Sequence, residues 1–167
     1  MKVFLTGIIT TPYAREYLSE CTAILRENGF ECYTPSEGGW HPTGSDQAES
    51  TLQEDYQALE QAEAVIAVLD GYNVNDGVAG HIGSFYALMQ RDTSKKGILG
   101  ILHDTRVARW DWSAGAKALN YYMLGCVETR GQVFRSFPEA LAELRRWAGH
   151  AERSPQKDPY APGLGPA

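Results

Sequence analysis

Basic clusters, paired cysteines and long apolar runs are all missing from this sequence of 167 residues. The formal net charge is −6 and no run of Lys or Arg stands out, which argues against a nucleic-acid partner. Arg145 and Arg146, beside Trp147, read as one helix face rather than a basic arm. The three cysteines, Cys21, Cys32 and Cys126, form no CxxC pair, and bridging two would leave one over. Buried free thiols in a reducing cytoplasm are therefore expected. Four histidines (His41, His81, His103, His150) lie too far apart for a zinc site, so no metal is expected. The longest apolar runs fall far short of bilayer thickness, so no membrane span is expected. Met1-Lys2 leads straight into Val3-Phe4-Leu5, and no signal peptide is expected either.

What is present is an ordinary globular composition, long enough for one domain with its own core. The domain is expected over residues 1–150. The proline- and glycine-rich stretch 151–167 is expected to be a disordered tail.

Along the chain, apolar runs alternate with helical spacing. Val3-Phe4-Leu5, ended by Thr6-Gly7, reads as a buried first strand. Tyr13, Tyr17, Leu18, Cys21 and Leu25 then recur at helical intervals until Asn28-Gly29, a pair suited to a helix end. Phe30 to Thr34 reads as a second strand, followed by a loop from Ser36 to Asp46. Ser50-Thr51-Leu52-Gln53 has the spacing of a capping box, and Leu52, Tyr56, Leu59 and Ala62 mark the face of the helix it opens. Ala64 to Leu69 is continuously apolar, as in a central strand covered on both faces. Asp70 to Gly80 reads as a loop, and a helix starting near Gly80 carries Ile82, Phe85, Tyr86 and Met89. Gly97 to Leu102 forms a fourth strand, and the segment Val127 to Phe134 contains a fifth. Asp104 to Leu119 is less regular and reads partly as a lid. Ser136-Phe137-Pro138-Glu139 opens the last helix, which Leu141, Leu144 and Trp147 continue.

This alternation implies right-handed βαβ units and a parallel sheet of about five strands, a flavodoxin-like or Rossmann-like α/β sandwich. Such sheets bind ligands beyond the carboxyl ends of their strands. Those ends are Gly7, Pro35, Asp70 and His103.

The densest polar constellation, Asp70 to Gly83, follows the central strand and holds two carboxylates, two asparagines, His81 and four glycines. Glycines admit close backbone approach to a ligand, and a helix start aims its amides at the same place. A polar turn with a helix cap explains the composition equally well. A P-loop is disfavoured because no Gly-Lys-Ser/Thr follows.

The stretch resembles the signature of nucleoside 2-deoxyribosyltransferases: an apolar strand, Asp-Gly, a short loop with an Asp-containing step, then Glu-x-Gly and a helix. Asn75-Asp76-Gly77 matches the Asp step, His81-Ile82-Gly83 the Glu-x-Gly step, and Tyr86-Ala87-Leu88 the helix start. Val3-Phe4-Leu5-Thr6-Gly7 is similar to the first strand and its glycine. Glu54-Asp55-Tyr56 is similar to the Asp-bearing helix, and Asn120-Tyr121-Tyr122-Met123-Leu124 to an Asn-x-Met-Leu segment one residue shorter. The likeness runs in order from about Lys2 to Trp147.

The resemblance implies cleavage or exchange of the N-glycosidic bond of nucleosides or their monophosphates, with no metal or organic cofactor. A carboxylate attacks the anomeric carbon, the base leaves, and another base or water captures the sugar. The catalytic set so implied is His81, Asp76 and Asp55. Asp55 would contact sugar or base, and Asn75 with Asp76 would address the base. Asn120 would reach a neighbouring subunit's site in a homo-oligomer. Gly7, Tyr13, Trp40, Asp70 and Gly77 complete the expected substrate-binding set, with Trp40 able to stack a base. Expected partners are a small-molecule nucleoside and nucleobase, with no nucleic acid and no membrane. Arg15 and Ser84 are candidate phosphate donors, though free nucleosides fit better. His103 and Asp104, at the end of strand four, read first as structural.

His81 departs from the pattern, because the family keeps its catalytic glutamate there. A neutral imidazole supplies no negative charge to an oxocarbenium ion, and an imidazolium repels it. Several readings follow: His81 as nucleophile or general base, Asp70 or Asp76 in the carboxylate role, an N-glycoside hydrolase, or a nucleoside-binding protein without turnover.

Overall fold

A computed structural model describes residues 1–38, 47–109 and 119–150. Trp40, His41, Trp110, Trp112 and the expected tail lie outside the described residues. Strands β1 (Lys2–Thr6), β2 (Glu31–Tyr33), β3 (Ala64–Val68), β4 (Gly97–Ile101) and β5 (Gln132–Phe134) form one sheet in the order β2-β1-β3-β4-β5. Every pairing is parallel. This is the flavodoxin-like order, so the α/β architecture expected from the alternation is the one observed.

Among the described residues, five α-helices cover the sheet: α1 (Pro12–Glu27), α2 (Gln47–Gln61), α3 (Asp76–Met89), α4 (Tyr121–Glu128) and α5 (Phe137–Trp147). Strand alternation sorts the core into two layers. Val3, Leu5, Ile66 and Leu99 face α1 and α5, packing on Leu18, Leu25, Leu141 and Leu144. Phe4, Val65, Ala67 and Ile98 face α2, α3 and α4, packing on Leu59, Ile82, Phe85 and Val127. Thr6 follows Phe4 by two residues, so its side chain turns toward the second layer.

Local signals set the helix ends. Thr11 caps α1 by accepting from Ala14 N at 3.2 Å, Pro12 occupies its first turn, and Gly29, at φ +81°, turns the chain out after it. Ser136 caps α5 in the same way, accepting from Glu139 N at 3.4 Å. Gly97 is required by close approach: a Cβ there would stand 1.6 Å from the Arg130 carbonyl oxygen, at a φ of +153°. No helix among the described residues is long and apolar enough to cross a membrane.

Four local expectations need correction. Helix α2 begins at Gln47, upstream of Ser50, because the intervening Ala48 and Glu49 extend the turn; the Ser50–Gln53 spacing falls inside it. Its inward face is also rotated from the expected one. Leu52 is 67% exposed and Tyr56 41%, whereas Asp55 is only 8% exposed beside Leu59 and Ala62. Helix α3 begins at Asp76, not near Gly80, since Asn75 caps it through Gly77 N at 3.0 Å. Strand β2 is shorter than expected, with Phe30 and Thr34 flanking it.

Candidate active site at the carboxyl edge of the sheet

A continuous chain of side-chain hydrogen bonds crosses the carboxyl edge of β1. Helix α3 buries Val78, Ile82, Phe85 and Met89, which leaves His81 on the border of that stripe and directed at the end of β1. Its Nδ1 lies 2.9 Å from Thr6 Oγ1, and its Nε2 lies 3.2 Å from Asp55 Oδ2. Tyr33, at the end of β2, donates its hydroxyl to Asp55 Oδ1 at 2.8 Å. The rings of Phe4 and Tyr33 stack with centroids 5.3 Å apart, and Phe4 meets the His81 ring edge-on at 5.0 Å. Burial, joined by the hydrogen bond to Asp55 and its charge, pushes the Tyr33 hydroxyl above the ordinary tyrosine range. Asp55 thus lies between the Tyr33 hydroxyl and the His81 ring, and the side chains of Asp55 and His81 remain 12% and 18% exposed. A buried anion beside an imidazole is equipped to stabilise positive charge and to exchange a proton.

A second cluster follows β3 and β4. Asp70 Oδ2 is 2.8 Å from His103 Nδ1, and Asp70 Oδ1 accepts from the amides of His103 at 2.7 Å and Asp104 at 3.1 Å. Tyr17 OH lies 3.2 Å from His103 Nε2. Asp70, His103, Tyr17 and Tyr13 border an open cleft of about 390 Å³ on the α1 side of the sheet edge. Next to His103 in sequence, Asp104 is held by Arg106 through Nε at 3.0 Å and Nη2 at 2.7 Å, and Arg106 also donates to the Leu69 carbonyl. Burial raises the Asp104 carboxyl. The bonds from Arg106 and from Gly71 N outweigh it and hold the group below the usual carboxylate range.

The sequence profile described as nucleoside 2-deoxyribosyltransferase matches residues 3–134, a span that contains both clusters. The chain belongs to this family. Solved structures share the fold at low identity. A conserved protein from Enterococcus faecalis V583 superposes with a TM-score of 0.71 at 18% identity, covering 88% of this chain and 98% of its own. A 2-deoxyribosyltransferase from Bacillus psychrosaccharolyticus gives 0.61 at 15% identity, covering 83% and 89%. A CMP N-glycosidase from Clostridium botulinum gives 0.53 at 20% identity, covering 86% and 98%. No curated protein matches the sequence.

Of the residues expected from the nucleoside 2-deoxyribosyltransferase likeness, His81 and Asp55 meet directly. Asn75 and Asp76 stand at the start of α3, where both side chains accept from Gly77 N. Asp76 and Gly77 are exposed. Gly7 is buried between Leu18 and Val68, and a Cβ there would lie 2.9 Å from Leu18 Cδ2. Tyr13 is 83% exposed on the cleft, so it is not the core residue its helical spacing also allowed. Asp70 belongs to the His103 cluster rather than to the Asp55 pair. Asn120 caps the exposed start of α4 by accepting from Tyr122 N and Met123 N. Arg15 donates to the Ile9 carbonyl at 2.6 Å. Trp40 lies outside the described residues.

Thr6 and Tyr33 were absent from the expected set. Thr6 carried a usable signal, a hydroxyl at the end of an apolar strand just before Gly7. Tyr33 carried none, because a tyrosine in a short strand reads as core.

Proposed function

We propose that this chain cleaves or exchanges the N-glycosidic bond of nucleosides, using Asp55 as its anion and His81 as the group beside it. The observation that carries this reading is the 3.2 Å contact between Asp55 Oδ2 and His81 Nε2 at the carboxyl edge of β1, within the family's span. In the reaction the base departs with the C1′–N electron pair, and positive charge develops on the sugar. A carboxylate in a partly dry site stabilises that charge far more than one in water. Asp55 suits the role better than the other candidates. The Asp55 side chain is 12% exposed against 27% for Asp70, and Asp76 is exposed at a helix start. Asn75 and Asp76 then address the base, and Gly7 and Gly77 let backbone approach it. Tyr13, Asp70 and Asn120 border the bound nucleoside, with Asn120 reaching across a subunit interface. The chemistry needs no organic cofactor.

Incubation with purine and pyrimidine deoxynucleosides, with and without an acceptor base, followed by chromatography, tests the reading. Base exchange identifies a transferase, and free base alone identifies a hydrolase. Binding without turnover would overturn the proposal in favour of a nucleoside-binding role.

A further inference from the structure

We infer that Thr6 is a positioning residue that fixes the tautomer of His81, keeping the ring proton on Nε2 toward Asp55. The inference deepens the proposed reaction and rests on it for its catalytic consequence, while the tautomer itself follows from hydrogen-bond geometry alone.

Thr6 is 1% exposed, and among the described residues its hydroxyl has one partner, His81 Nδ1 at 2.9 Å. The other ring nitrogen faces Asp55 Oδ2 at 3.2 Å, and Tyr33 supplies a proton to Asp55 Oδ1. A carboxylate only accepts, and a neutral imidazole donates from one nitrogen and accepts at the other. One arrangement satisfies every group: Thr6 donates to Nδ1, Nε2–H donates to Asp55, and Tyr33 donates to the second carboxylate oxygen. Donation thus converges on Asp55 from both sides.

The alternatives each leave a fault. With the proton on Nδ1, the ring donates to Thr6 and the Thr6 hydroxyl proton loses its acceptor in a buried place. The Nε2 lone pair would then face a carboxylate oxygen. Charging the ring meets the same obstacle at Thr6, since an imidazolium also donates from Nδ1. Unsatisfied polar groups at such depth are costly. The edge-on contact with Phe4 restrains the ring plane and opposes a flip that would exchange the two nitrogens. For the proposed reaction, a neutral His81 leaves the charge of Asp55 uncancelled at the developing cation.

The test is the ring-nitrogen spectrum of the full chain labelled with 15N-histidine, with the His81 signals assigned by their loss in His81→Gln. The expected wild-type result at neutral pH is an unprotonated Nδ1 and a protonated Nε2. Thr6→Val removes the donor at nearly constant volume and should move both signals toward a mixture of forms, whereas Thr6→Ser should restore the wild-type pattern. With a turned-over nucleoside, Thr6→Val should lower kcat about tenfold with KM nearly unchanged, as expected for a group acting through another. A protonated Nδ1 in wild type, or unchanged ring signals in folded Thr6→Val, overturns the inference. The wild-type spectrum, once assigned with His81→Gln, needs no turnover, so it decides the tautomer even if the chromatographic assay shows no reaction.

Discussion

Asp55 Oδ2 and His81 Nε2 meet at 3.2 Å across 26 residues of sequence, one from α2 and the other from α3. The pair sits where Thr6 ends β1 and Tyr33 ends β2, so four elements fix its geometry. That convergence makes the pair the centre from which most tests of this protein follow.

Asp55→Asn keeps the shape of the side chain and its ability to accept from Tyr33 while removing the charge. The expected outcome is a fall in kcat of about 10²–10³-fold, the scale of losing one electrostatic stabiliser, with a nearly unchanged melting temperature. Steady-state kinetics on the best nucleoside, beside thermal melts, checks both parts. His81→Ala should fall by a similar factor. Unchanged turnover in that variant would end any role for the imidazole.

Tyr33→Phe deletes the donor to Asp55 Oδ1 and should cost about 1–2 kcal/mol in denaturant unfolding at neutral pH. The alkaline limb gives a second readout. Burial and Asp55 raise the folded-state Tyr33 hydroxyl above its unfolded value of about 10, so the folded protein keeps this proton longer than the unfolded chain does. Its contribution to stability is whole below that value and is lost as pH rises toward the folded one. Wild type should therefore lose stability more steeply above about pH 10 than Tyr33→Phe, and equal slopes would contradict the assignment.

Arg106→Met tests the support under the second cluster. Arg106 is 6% exposed, and its loss removes the charged donor from Asp104, which keeps the Gly71 amide, and leaves the Leu69 carbonyl without its side-chain donor. A loss of about 3 kcal/mol is expected at neutral pH. Because Asp104 is held below its unfolded value, its contribution is present above about pH 4 and disappears as pH falls through the folded value. The variant should show a shallower acid limb in a series of urea melts from neutral pH downward.

Gly97→Ala should destabilise severely, by about 3 kcal/mol or more, because its Cβ would overlap the Arg130 carbonyl at a φ that L-residues rarely adopt. Gly80→Ala makes the control: no atom stands within 4 Å of its Cβ position, and α3 favours alanine. A Gly97→Ala protein as stable as wild type would show that β4 and β5 can separate there.

Burial raises the Cys32 thiol to about 11 from its ordinary 9. Little thiolate forms near pH 8, and alkylation by iodoacetamide should be slow until the pH exceeds about 10 or the chain unfolds. Rapid labelling of native protein at pH 8, located by peptide mass, would contradict this. Cys21 and Cys126 are buried as free thiols, whereas Cys32 is half-buried rather than fully enclosed as its sequence context suggested.

Much of the fold was legible because its signals are local. The apolar run Ala64 to Leu69 announced a strand covered on both faces, and each strand of the parallel sheet lies in or near its expected segment. Thr11-Pro12, Asn28-Gly29 and Ser136 through Glu139 marked helix ends through bonds made within a few residues. Helix α2 was harder. A stripe containing Leu52 and Tyr56 looked like its buried face, but the observed face carries Asp55, Leu59 and Ala62. A carboxylate facing inward breaks the pattern on which periodicity depends, and only the partners His81 and Tyr33 make its burial affordable.

The sequence by itself determined the α/β class, the approximate strand segments of a parallel sheet, and the family to which the chain belongs. These follow from backbone propensities, apolar periodicity and short motifs, all of which act over a few residues. Only the tertiary structure decided that Asp55 pairs with His81 while Asp70 is taken by His103, and that Thr6 and Tyr33 complete the first chain. Hydrogen bonds are satisfied by groups brought within about 3 Å, whatever their distance in sequence, and that proximity is set by how α2 and α3 pack on the sheet.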